Sequence, residues 1–249
     1  MPEFIGLLPA AGMGSRLAPF SYPKELMPIA FRVKGEDKGA HPRLAIEFSI
    51  EALKAATVKK AIVVISDRKV EIMRCLGNGA RHGMDLCYIH QESAEGLADA
   101  VDRCYEWTKD NHVCLALPDT IINPGDAFKQ VCESCSQLDS DVQLGVFPTD
   151  TPERFGPVRH DAAGQVIEVI DKPARTDLRG IWGIAAWSPR FSKFVHETLA
   201  ARPEMKSLSI GLLFNEAITA GLKVRANFFE SGSYLDLGDP SNIGSLIFE

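Results

Sequence analysis

Up to about residue 140, short apolar runs alternate with amphipathic ones: EFIGLL, RLAIEFSIEALKAA, KAIVVIS, VEIMRCL, MDLCYIH, LADAVDRCYEW, VCLAL and DAFKQVCESCSQL follow one another in order. A strand that returns to the sheet through a helix comes back parallel to its neighbour, so the alternation predicts an α/β protein with a doubly wound, mostly parallel sheet. The uninterrupted apolar stretches Ala61–Ile65 and Val113–Leu117 suit strands covered on both faces.

From about Asp141 the pattern changes. VQLGVFP, PVRHDAAGQVIEVI and GIWGIAAW are separated by turns with no long helix read between them, and DAAGQ reads as a hairpin turn. An amphipathic stretch, KSLSIGLLFNEAITAG, then leads to KVRANFFE and a last short strand, SYLDLG. A chain of 249 residues with 45% hydrophobic content can bury one substantial core, and no repeat or low-complexity linker divides it. One domain over 1–249 is therefore expected, with a more antiparallel part after about residue 140. RVKGEDKGAHPR, residues 32 to 43, is polar, glycine-rich and without period, and reads as an exposed loop.

Several function classes fall away on composition. A net charge of −6 gives no basic field for nucleic acid, while leaving room for a local cationic pocket that holds a small anion. No apolar run approaches the roughly 18 to 20 residues of a membrane span, so no membrane partner is expected. The six cysteines are dispersed through apolar segments, and the chain opens without a leader-like pattern; a reducing cytoplasm is the expected setting. Cys132 and Cys135 form a C-x-x-C inside a helix-like run, with no second pair or nearby histidine to complete a zinc site.

The chemistry starts at LPAAGMGSR, residues 8 to 16, where an apolar run ends in two glycines and an arginine. Glycines after a strand permit positive φ and let backbone N–H groups approach a phosphate. Both the P-loop and the dinucleotide-binding patterns fail at Leu17, where each requires a glycine. What stands is G-x-G-x-R, Gly12, Gly14 and Arg16, with Lys24 eight residues later in YPKELMPI. A guanidinium forks onto phosphate oxygens and an ammonium supplies a point charge, so the turn suits a triphosphate; a glycine turn with two solvated cations is the competing reading. Asp119 follows VCLAL and Asp236 lies in SYLDLG. If they converge they offer hard oxygen ligands to magnesium; otherwise they cap a segment and serve a turn.

LPAAGMGSRLAPFSYPKELMPI resembles the N-terminal motif of the sugar-1-phosphate nucleotidylyltransferases, closest in wording to bacterial UTP–glucose-1-phosphate uridylyltransferases and related to glucose-1-phosphate thymidylyltransferases. The resemblance continues in family order through HQESAEGLADAV, LALPDT, DTPERFGPVRHDAAGQVIEVIDKP, GIWGIAAW and SYLDLGDPSNI. It implies a Rossmann-like nucleotide-diphospho-sugar transferase fold of the GT-A type, with about 1–140 as the nucleotide-binding part and about 141–249 as the sugar-phosphate-binding part. It further implies that Ala10, Ala11 and Gly12 face the nucleoside, that Gly14, Ser15 and Arg16 meet the triphosphate, and that Lys24 touches the phosphates of both substrates. Gln91 and Gly96 match the base-reading pair, Asp119 and Asp236 the two magnesium aspartates, and Gly156, Asp171 and Lys172 the sugar-phosphate side, with Arg16, Lys24 and Lys172 carrying the catalysis.

The implied reaction joins a sugar 1-phosphate to UTP or dTTP and releases pyrophosphate. A cytidylyltransferase acting on a sugar or alcohol phosphate, or a non-catalytic nucleotide-sugar-binding homologue, are its rivals, and the oligomeric state, a homo-oligomer included, is left open. Departures from the family pattern are Asp171 where a glutamate is usual, Pro118 where a glycine is usual, and KSLSIGLLFNEAI, around Ser209, where an acidic segment is missing. Trp182 and Trp187 read as sheet and core partners rather than sugar platforms, and His90 as a pocket-wall residue.

Overall fold

The computed structural model describes residues 2–18, 22–33, 40–93, 95–240 and 242. In chain order the strands are β1 (Phe4–Pro9), β2 (Pro28–Val33), β3 (Ala40–Leu44), β4 (Lys60–Ile65), β5 (Asp85–His90), β6 (His112–Leu115), β7 (Thr120–Asn123), β8 (Val142–Pro148), β9 (Val158–His160), β10 (Val166–Val169), β11 (Gly180–Trp187), β12 (Val224–Phe228) and β13 (Ser233–Asp236). The helices are α1 (Ala45–Ala55), α2 (Val70–Leu76), α3 (Leu97–Asp102), α4 (Tyr105–Thr108), α5 (Ala127–Gln137), α6 (Pro189–Ala201) and α7 (Ile210–Thr219).

Seven strands form one sheet in the order β12-β8-β11-β6-β1-β4-β5. β1 pairs parallel with β4 and β6, β4 with β5 and β12 with β8, while β11 alone runs antiparallel, to both β6 and β8. This is the doubly wound mixed sheet that the alternation predicts. Successive side chains of a strand point to opposite faces, and here each face meets its own core. Leu7, Val64, Val113 and Leu115 pack with Phe191, Leu199 and Phe214, whereas Leu8, Val63 and Cys114 pack with Ile50, Leu53, Phe128 and Val131. Trp187 is fully buried, with its indole N–H donating to Ser192 Oγ at 2.9 Å, as a core tryptophan needs. All six cysteines are free thiols, and burial pushes that of Cys135 up to about 12. Among the described residues no helix is long and apolar enough to cross a membrane.

PRFSKFVHETLAA, for which the sequence pattern names no element, forms α6: Pro189 opens the first turn, and Phe191, Val195 and Leu199, four apart, bury one stripe. One expectation needs correcting. RVKGEDKGAHPR is not a loop throughout, since β2 and β3 pair antiparallel through it. Pro42 is tolerated because the ribbon has only two strands, and 34–39 lie outside the described residues. The hairpin at DAAGQ is present: β9 and β10 pair antiparallel, Gly164 sits at φ 77°, and the Asp161 carboxylate accepts from the N–H groups of Ala163 and Gln165 at 2.8 and 2.9 Å.

A smaller pairing brings the acids together. β7 begins immediately after Asp119 and pairs antiparallel with β13, matching Thr120 to Asp236, while Leu237 N–H donates to Asp119 O at 2.8 Å. Two acids more than a hundred residues apart in sequence are thereby set side by side. Pro118 suits this corner, because it precedes Asp119 in a turn closed by Thr120 N–H on Leu117 O at 3.2 Å, and proline is preset for the second position of such a turn.

Candidate active site

Parallel strands leave all their carboxyl ends on one side, where a crevice forms. At that side of β1, Ala10 keeps the sheet's register by donating to Val64 O at 2.8 Å, then the chain turns through Gly12 and Gly14, the latter at φ 64°. Ala10 and Ala11 are buried, and their small side chains let the backbone form the cleft wall. A cavity of about 700 Å³ opens here, lined by residues 11–15, by Lys24, by Ser66–Lys69 after β4, and by Glu92 after β5. Ser66 to Lys69 were not anticipated, although they follow KAIVVIS just as the glycine turn follows β1. His90 does not line this cavity; its ring lies 2.9 Å from Asp67 Oδ1, a carboxylate that does.

Lys24 is aimed by its neighbours. Pro23 leads into a single tight turn, and Glu25 is buried against Lys69 Nζ at 2.6 Å, so the PKE segment cannot swing outward. Burial pushes the Glu25 carboxyl upward, against the pull of the Lys69 ammonium. Lys24 itself pairs with Asp119, and Arg16 Nη1 donates to Asp236 Oδ2 at 2.8 Å. Asp236 Oδ1 accepts from Gly238 N–H at 2.7 Å. A Cβ at Gly238 would stand 2.6 Å from Arg16 Nη2, 2.8 Å from Asp236 Oδ1 and 3.0 Å from Lys24 Nζ, so these three groups converge on one point. Arg16, Lys24, Asp119 and Asp236 therefore meet in one place.

The electrostatics agree with that geometry. Burial works against the Arg16 charge, yet the hydrogen bond and charge of Asp236, with Asp119 and Asp239 behind it, raise its pKa further. Tyr234, half-buried beside the acids, has its phenol pushed well up by desolvation and then by Asp119 and Asp236 together. Asp239 is itself buried and paired with Arg154. Neither Tyr234 nor the Arg154–Asp239 pair was singled out by sequence.

Asp171 and Lys172 are exposed in the turn after β10, and neither is in an ion pair with the acid pair or its cations among the described residues. Lys172 adopts φ 44°, a left-handed conformation that a side-chain-bearing residue holds only when its surroundings impose it. Its N–H donates to Phe155 O at 2.9 Å, and the Phe155 ring stands edge-on to Tyr234 with centroids 5.6 Å apart. That chain of contacts braces the Lys172 turn against the acid pair. Gly156 O accepts from Trp182 N–H at 3.2 Å, and Trp182 packs edge-on against Phe214. In KSLSIGLLFNEAI, Ser209 precedes α7 with its Oγ buried and unpartnered, and Asn215 clamps both backbone groups of Val169 at 2.8 Å.

Gln91, next in the chain to the cavity-lining Glu92, is buried, and its amide nitrogen donates to Asp99 Oδ2 at 2.7 Å and to Gly96 O at 3.3 Å. Gly96 holds φ 117°, and a Cβ there would lie 2.9 Å from Lys206 O.

Comparison with known proteins gives the family and the fold. Residues 5–246 match the family described as nucleotidyl transferase. The low-salt glycan biosynthesis nucleotidyltransferase of Haloferax volcanii is 29% identical over 96% of this chain, which spans 63% of that relative's length. A Bacillus anthracis crystal structure provisionally assigned as a glucose-1-phosphate thymidylyltransferase superposes with a TM-score of 0.84 at 20% identity, covering 98% of this chain and 93% of that one. The UTP-bound UGPase of Acinetobacter baumannii gives a TM-score of 0.75 at 16% identity, covering 98% and 92%. At those identities the two structures speak for the fold, and the match over residues 5–246 speaks for descent: the chain belongs to the nucleotidyl transferase family.

Proposed function

We propose that this protein is a sugar-1-phosphate nucleotidylyltransferase acting on a pyrimidine nucleoside triphosphate, UTP or dTTP. The observation that carries the reading is the meeting of Arg16, Lys24, Asp119 and Asp236 at the carboxyl ends of the sheet, beside a cavity walled by backbone from the glycine turn. The thymidylyltransferase and UTP-bound neighbours support a pyrimidine nucleotide.

In the proposed reaction a phosphate oxygen of the sugar 1-phosphate attacks the α-phosphorus of the triphosphate, the bond to the bridging oxygen breaks, and pyrophosphate leaves. The nucleophile is already ionised at neutral pH, so the protein needs no general base; it must position two anions and offset their repulsion. N–H groups of residues 12–15 face the triphosphate, Arg16 forks onto its oxygens, and Lys24 lies between the two substrates. Lys172 on its braced turn receives the sugar phosphate. Asp119 and Asp236 fit magnesium in donor type, being adjacent carboxylates that leave the remaining positions to phosphate oxygens and water. The ion would neutralise charge on the triphosphate when bound. Asp171 is one methylene shorter than the usual glutamate and Ser209 Oγ is an unpartnered buried hydroxyl, so the sugar contacts here differ from the family pattern.

The test is pyrophosphate release by the purified protein with UTP, dTTP, CTP, ATP and GTP, each with glucose 1-phosphate and other sugar 1-phosphates, with and without magnesium. Magnesium-dependent release with UTP or dTTP is expected. Release only with CTP moves the protein to the cytidylyl class, and no release with any pair overturns the reading.

A further inference from the structure

The Gln91 side chain has two faces, and the structure shows which one is spent. Its Nε2 lies 2.7 Å from Asp99 Oδ2, and a carboxylate only accepts, so the group facing it must be the amide's NH₂. Asp99 is almost fully buried, and two cations face it: Arg103 Nε at 2.6 Å and Lys206 Nζ at 3.7 Å. Turning the amide over would set its carbonyl oxygen against that carboxylate. Nε2 is further occupied by Gly96 O. No described donor reaches Oε1, and it is not sealed off as Ser209 Oγ is.

We infer that Asp99 is a specificity-determining positioning residue: by holding the Gln91 amide nitrogen, it leaves that side chain a single free hydrogen-bonding atom, an acceptor, suited to the N3–H of uracil or thymine and opposed to the N3 lone pair of cytosine. This rests on the pyrimidine nucleotide reading of the site and deepens it, because an unrestrained amide donates as readily as it accepts and cannot tell these bases apart. Arg103 and Lys206 hold Asp99 from the other side, so the preference is set three contacts away from the base.

The experiment is calorimetric binding of UTP, dTTP, CTP and 3-methyl-UTP, with magnesium, to the unaltered protein and to Asp99→Asn. UTP and dTTP are expected to bind roughly 100-fold more tightly than CTP, as sites built around one hydrogen bond reject a base that cannot make it. 3-Methyl-UTP, which lacks N3–H, should bind as weakly as CTP. In Asp99→Asn the new side-chain amide can donate as well as accept, so the Gln91 amide is freed to turn, and the UTP-to-CTP preference should shrink to within about tenfold. A merely structural Asp99 would weaken all nucleotides alike and leave the ratio untouched, which overturns the inference. Equal binding of CTP and UTP by the unaltered protein, or a preference for purines, does the same. If Asp99→Asn does not fold, 3-methyl-UTP binding as tightly as UTP overturns the inference. The two readings separate cleanly: uridine-selective binding without pyrophosphate release sinks the enzyme and keeps Asp99's role, while release without base preference does the reverse.

Discussion

Asp119 and Asp141 are acids beside near-neighbour strands of one sheet, at its opposite ends, the carboxyl end of β6 and the amino end of β8, and their surroundings differ in kind. Asp141, before β8, is satisfied from every side: Lys223 N–H donates to it at 2.8 Å, Arg190 Nη1 lies 3.1 Å away, Ser188 Oγ is at 3.4 Å, and its own carbonyl takes the Ser188 N–H. All of these partners belong to the chain that packs there, and together they tie β8, α6 and the approach to β12. Asp119 pairs with Lys24 alone among the described ion pairs, and its neighbour Asp236 is held by Arg16 and one backbone N–H. Those cations stand at a cavity mouth and have further valences for an anion. A buried acid whose partners are all structural closes the fold, and one whose partners face open space is placed to meet a ligand.

The contrast breaks most sharply at Asp119. Asp119→Asn should lower kcat by roughly 10³-fold, about 4 kcal/mol in the barrier, because the isosteric amide keeps the turn and removes the charge. Thermal melting should stay within a few degrees of the unaltered protein; near-normal turnover would move the active centre elsewhere. Asp141→Ala should do the opposite. It leaves the part-buried Lys223 N–H without an acceptor and empties the buried site of the carboxylate, a loss of about 2–3 kcal/mol read from denaturant unfolding, while kcat/KM of the folded protein is unchanged. The exposed Arg190 arm of that network contributes little of this. If Asp141→Ala lost activity at unchanged stability, the distinction between the two ends would fail.

The same contrast explains what was legible in the sequence. Residues of the active end that lie in contiguous runs, Gly12 to Lys24 and Asp119 after its strand, are visible because strand ends and glycine turns are local signals. Asp236 joins them only through the β7–β13 pairing, and residue patterns alone favoured a turn role for it. Lys69, Arg154 and Asp99 escaped notice because each acts through a partner, Glu25, Asp239 and Gln91, that local periodicity does not connect to it. In the fold, α6 was hidden because its stripe of Phe191, Val195 and Leu199 follows directly on the aromatic β11, and β3 because Pro42 and polar neighbours mask a ribbon strand that needs only one partner.

Gly96 refines the comparison on the active end itself, where conformation rather than charge is at issue. An alanine would have to hold φ 117° and place its Cβ 2.9 Å from Lys206 O. Gly96→Ala should therefore cost about 1–3 kcal/mol of stability. Because Lys206 also faces Asp99, the displaced segment should raise KM for the nucleotide while leaving KM for the sugar phosphate alone. Equal rises in both would show that the whole cleft had moved.

The smallest effect belongs to the closed end. His112 opens β6 at the end away from Asp119, its ring tilted against Phe4 with centroids 5.2 Å apart, and burial lowers its pKa from 6.5. A histidine whose folded pKa is depressed contributes stability that is present above 6.5 and is lost as pH falls toward the folded value, since the unfolded chain takes up the proton first. His112→Phe keeps a ring against Phe4 and removes the titration. At neutral pH the two proteins should melt within a degree or so of each other, and below pH 6.5 the variant should gain on the unaltered protein as the imidazole's penalty grows. Turnover should be the same at every pH, because no described contact carries a charge at this end of β6 to Lys24 or Asp119. A shift in the pH profile of kcat would mean that the two ends are coupled through the strand, and that the separation between structural and chemical acids is not the property of position that Asp119 and Asp141 suggest.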